Sequence, residues 1–121
     1  MKRLLGPLVA LLCGLCLPAK AERVAFPSGV ALDVIQLSGN GAPQHWKLKP
    51  TSAGYRQLTS WLADQTYWAP YLATTPGTGL IVEAGDLRLQ FIGNTVLACK
   101  AKKGCKKKSL PESEYRYLLN P

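Results

Sequence analysis

From Gly79 to Cys99 the chain falls into three short, largely apolar runs separated by two glycine-led dipeptides, in units too short for a helix. Leu80-Ile81-Val82-Glu83-Ala84, Leu87-Arg88-Leu89-Gln90-Phe91-Ile92 and Thr95-Val96-Leu97-Ala98-Cys99 are separated by Gly85-Asp86 and Gly93-Asn94. Glycine at the first central position of a two-residue loop fits a type II′ turn, whose twist matches that of the strands it joins. Counting outward from both turns sets Val82 opposite Leu89 and Leu89 opposite Ala98. The same count sets Leu80 opposite Phe91 and Phe91 opposite Val96, so one face of a three-stranded meander is apolar throughout. The other face sets Glu83 against Arg88 and Ile81 beside Gln90 and Leu97, a charge pair next to a half-apolar stripe.

Upstream, Val30 to Leu37 is rich in β-branched and aliphatic residues; Ser38-Gly39-Asn40-Gly41-Ala42-Pro43 interrupts it before Gln44-His45-Trp46-Lys47-Leu48. This pattern predicts a looser hairpin with Trp46 and Leu48 facing inward. Pro50, Thr51 and the capping residue Ser52 open a helix in which Tyr55, Leu58, Trp61 and Leu62 recur at helical spacing, ending near Asp64 or Gln65. A second helix is expected from Ser109-Leu110-Pro111-Glu112, with Tyr115, Leu118 and Leu119 as its apolar side. The predicted fold is therefore α+β. A two-stranded hairpin and a three-stranded meander make an antiparallel sheet, packed by two helices in the order ββαβββα.

The start of the chain has a different character. Met1-Lys2-Arg3 is basic, Leu4 to Leu17 is almost wholly apolar, and Ala19-Lys20-Ala21 brackets a cleavage point with small residues. Residues 1–21 read as a secretory signal peptide, and residues 22–121 as a single α+β domain of 100 residues. The apolar run is shorter than the ~20 residues a membrane-spanning helix needs. Leu12 precedes Cys13 and Leu15 precedes Cys16, where lipidation calls for a small residue, so both thiols are expected to leave with the peptide. The expected location is the periplasm, with secretion as the alternative.

Cleavage also sharpens the charge. Losing Lys2, Arg3 and Lys20 leaves twelve basic against seven acidic side chains, a net charge of +5. Half of the basic set, Lys100, Lys102, Lys103, Lys106, Lys107 and Lys108, falls within nine residues, so a near-neutral domain carries one basic segment. Cys99 and Cys105 bracket the start of that segment and are expected to form a disulfide in an oxidising compartment. So short a loop gains about 2 kcal/mol from closure, and shaping the lysine loop is the more important expected role. The second candidate surface is the long loop from Thr66 to Gly79, which carries Tyr67, Trp68 and Tyr71. These rings either fold back as a lid on the core or stand out as interface anchors.

Little in the chain suggests catalysis. His45, the only histidine, sits beside Trp46 in a predicted strand, and the hairpin register gives Glu83 to Arg88 while leaving Asp86 at the turn. No serine has a nucleophile-elbow context, no glycine-rich loop leads into a helix, and C-x5-C with one distant histidine is a poor metal motif. No cofactor or metal is expected. Nucleic acid is not an expected partner either, because no aromatic residues interleave the lysines.

At Trp46, Pro50, the helix from Tyr55 to Leu62, Trp68, Tyr71 and the strand containing Leu89-Gln90-Phe91, the chain resembles small periplasmic immunity and inhibitor proteins that neutralise antibacterial toxins. The resemblance implies a non-enzymatic protein that occludes a partner toxin or enzyme stoichiometrically. The expected contact surface combines the six lysines with Tyr67, Trp68 and Tyr71. The alternative is an envelope-associated module that holds anionic lipid or polysaccharide through the same lysines.

Overall fold

The structure, a computed structural model, describes residues 24–37 and 41–119. The signal peptide read at residues 1–21, and residues 38–40 of the first predicted turn, lie outside the described residues. Seven strands, β1 (Leu32–Leu37), β2 (Gln44–Leu48), β3 (Ala69–Tyr71), β4 (Gly79–Ala84), β5 (Leu87–Ile92), β6 (Thr95–Lys100) and β7 (Gly104–Ser109), form one antiparallel sheet. Their spatial order is β2-β1-β4-β5-β6-β7-β3. The fold is α+β, with one α-helix, α1 (Ala53–Asp64), among the described residues.

The central meander follows the predicted register: Val82 pairs with Leu89 and Leu89 with Ala98, Leu80 with Phe91 and Phe91 with Val96. Gly85 and Gly93 have φ of 62° and 55°, while Asp86 and Asn94 keep negative φ, as type II′ turns require. Leu32 and Val34 of β1 extend the apolar face, with Trp46 and Leu48 of β2 beyond them. The β-hydroxyl of Ser52 accepts the Tyr55 N–H and caps α1, which lays Leu58 and Leu62 into this core.

Two expectations need correction. Among the described residues no second α-helix follows β7; two 3₁₀ turns, Glu112–Glu114 and Arg116–Leu119, take its place. Their bonds span three residues, as in Tyr115 N–H to Glu112 O and Leu118 N–H to Tyr115 O. The Tyr115, Leu118 spacing satisfies a 3₁₀ turn as well as an α-helix. Tertiary anchoring decides between them: the Tyr115 ring packs 4.8 Å from that of Phe91, and its hydroxyl donates to Gly93 O at 2.7 Å. The second correction is to the sheet, which gains β3 and β7 from segments read as loops.

The chain passes around the sheet. From β2 at one edge it crosses the core face as α1 and reaches β3 at the far edge, paired with β7. Residues 72–78 then return over the opposite face to β4 beside β1. That return path is fastened by Gln90, only 2% exposed, whose side-chain amide donates to Pro76 O at 2.7 Å and Thr78 O at 2.8 Å. Ile81 and Leu97, on the same face as Gln90, are buried there as a second, smaller apolar layer.

Candidate functional site: the lysine hairpin and its edge strand

The lysines occupy a hairpin. Lys100 ends β6, Lys102 and Lys103 lie in the connection, and Lys106, Lys107 and Lys108 lie inside β7. The connection turns through Lys102 at φ 68° and Gly104 at φ 79°, with Lys103 N–H donating to Lys100 O at 3.0 Å. Left-handed φ suits Gly104 and is uncommon for a lysine, so the tip owes its shape to the paired strands on either side. Ala101 N–H donates to Asp86 O at 3.1 Å, tying the tip to the β4–β5 turn. Cys99 and Cys105 are directly opposite in the ladder and joined by a disulfide, a bond that fits an oxidising compartment.

Strand geometry divides the charge. Lys106 and Lys108 pair with Ala98 and Val96 and share their face, whereas Lys107 pairs with Leu97 and points to the other. The six lysines therefore form no single patch: they ring the tip and lie on both faces of the β6–β7 hairpin, which β3 flanks. Period-2 alternation is invisible in a Lys-Lys-Lys run, which is why the segment reads as a loop.

The aromatic segment is brought to the same hairpin. Ala69, Pro70 and Tyr71 pair with Lys107, Lys106 and Cys105. Pro70 brings no N–H to the ladder, so β3 is a blunted edge that resists strand addition. Trp68, 8% exposed, folds into the core, meeting Trp61 edge-to-face at 6.2 Å, and its buried N–H has no acceptor in the structure. The Lys108 ammonium lies 5.7 Å over the Trp68 ring and donates to Tyr67 O at 2.6 Å. Tyr71 is half-buried, its hydroxyl donating to Thr74 O at 3.0 Å. Of the three rings only Tyr67, at 69%, is strongly exposed. Thus Trp68 is a lid on the core, and Tyr67 is the ring available to a partner.

Two open features result, one at each end of β7. Tyr67, Ala69, Thr95, Lys107, Lys108 and Ser109 line a groove of about 340 Å³. At the tip end, Leu72 stands 96% exposed directly after β3. Sequence reasoning passed over Leu72, although a lone large aliphatic residue in a run of small and polar ones was the available signal.

The chain matches no protein-family model, no curated protein and no solved structure. The site must therefore be read from its own chemistry. Asp33 is engaged by Lys47 at 2.7 Å, and His45 lies exposed in β2 opposite Ile35. Glu83, Asp86 and Arg88 line a groove of about 280 Å³ at the β4–β5 turn, with Glu83 directly opposite Arg88 in the ladder. Among the described residues no group of three His, Cys, Asp or Glu side chains could hold a metal ion.

Proposed function

We propose that the mature chain is an exported, non-enzymatic binding protein of the periplasmic inhibitor or immunity kind, which occludes a partner toxin or enzyme. The observation that supports this reading is the β3–β7 pairing, which sets Tyr67 and the lysines Lys107 and Lys108 around one groove. An amphipathic ring beside a pair of ammonium groups suits an acidic protein surface: the ring supplies buried contact area and the lysines steer approach. The Lys108 bond to Tyr67 O pre-orders the wall, so less freedom is lost on binding.

Photo-crosslinking from position 67 in cells tests this reading, with position 44 in β2 at the far edge as the control. The expected result is one stoichiometric adduct from position 67 and none from 44, removed by Lys107→Glu. With the purified pair, Tyr67→Ala should weaken binding about 10- to 100-fold, mainly through dissociation, and Lys107→Glu should slow association. Equal adducts from both positions, or unchanged affinity in both variants, would overturn it.

A further inference from the structure

The tip end of the hairpin carries a different combination of groups. Leu72 is almost fully exposed, yet the backbone that presents it is ordered by the Tyr71 hydroxyl bond to Thr74 O and by the Gln90 bonds to Pro76 O and Thr78 O. A leucine side chain reaching into water gains free energy when an apolar environment takes it up. Continuing the β3–β7 register by one residue places Leu72 beside Gly104. Gly104 closes the connection that carries Lys102 and Lys103 and leads into β7, whose Lys106 and Lys107 leave on opposite faces. Two carboxylates lie nearby: Asp86, whose carbonyl holds the Ala101 N–H, and Glu83 in the adjoining groove.

Lysines that point to both faces of a strand cannot all meet a partner seated on one face. An end-on approach to a flat, diffusely negative surface meets them all, and Leu72 is then the foremost apolar atom group. We propose that the Leu72 and lysine tip docks end-on to an anionic phospholipid bilayer, with the leucine in the headgroup and acyl boundary and the ammonium groups among the phosphates. Lysine stems can lie along the interface while their charges remain hydrated. No helix among the described residues is long and apolar enough to cross a membrane, and the contact proposed is a peripheral one. The proposal goes beyond the protein-binding reading and centres on the end of β7 opposite Tyr67, with Lys107, which lines the Tyr67 groove, shared between the two surfaces.

Flotation of the mature, disulfide-bonded protein with vesicles tests this directly. Vesicles of phosphatidylethanolamine with phosphatidylglycerol should bind it, and phosphatidylcholine vesicles should not. Leu72→Ser should lower the partition coefficient about tenfold, as loss of one inserted leucine implies. Joint reversal of Lys102→Glu and Lys103→Glu should lower it by about tenfold or more, while Tyr67→Ala should leave it unchanged. Leu72 and both lysines are exposed, so unaltered thermal unfolding is expected and serves as the folding check. Equal partition to both vesicle types, or no effect of either tip variant, would overturn the proposal. A lysine effect without a leucine effect would overturn it too, because it would assign the tip to a soluble polyanion. Loss of membrane binding with the crosslink from position 67 intact would leave the protein-partner reading standing.

Discussion

One face of the sheet is covered by α1, Trp68 and the 3₁₀ turns carrying Tyr115 and Leu118; the other is covered at its centre by residues 72–78, fastened through Gln90. The first face is held by many interchangeable apolar contacts, each replaceable in part by its neighbours. The second adds to the smaller apolar layer of Ile81 and Leu97 one amide that donates twice. The broad apolar interface supplies stability, whereas the polar fastening fixes where a particular loop lies. Leu72 opens the return path that this fastening holds at Pro76 and Thr78.

The largest expected effect comes from the first face. Leu89, wholly buried at the centre of β5, should cost about 2–5 kcal/mol when replaced by alanine, read from denaturant unfolding. Gln90→Leu, its neighbour pointing the other way, should cost about 1–3 kcal/mol by leaving the Pro76 and Thr78 carbonyls without their donor. Hydrogen exchange should then rise through residues 72–78 while α1 stays protected; equal loosening of α1 would mean that the two faces are not closed independently. The smallest effect concerns Tyr117 at the margin of the first face, whose phenol burial pushes up to about 12 from 10.0. Its neutral form is the one favoured by folding, so this contribution is complete below pH 10 and is lost as pH rises from 10 through 12. Tyr117→Phe should flatten that part of the stability profile, and tyrosinate absorbance should show the delayed ionisation.

The same contrast explains what could be read from residues alone. The meander was legible because two glycine turns independently specify one register with a uniform apolar face. Helix α1 was legible from Ser52 and the Tyr55, Leu58, Leu62 spacing. Strand β3 was not, because three residues with proline at the centre have no strand character until β7 lies alongside. Strand β7 was hidden by side chains that are lysine on both faces. The second apolar layer escaped because Gln90 looks like a solvent-facing residue, and its role depends on carbonyls 12 and 14 positions away. For the same reason the site was half legible: the lysines and aromatics were identifiable, but the division of Tyr67 from Trp68 required the core to be in place.

The path of the chain around the sheet also bears on when the fold can close. Strands β3 and β4 are consecutive in sequence yet separated in space by β5, β6 and β7. A growing or threading chain that has delivered only the first 100 residues has β3 but no strand to receive it, since β7 begins at Gly104. The edge can form only after nearly the whole chain is present, which makes folding dependent on late, long-range contacts and correspondingly slow. Such a chain lacks its β3 edge until the lysines of β7 arrive.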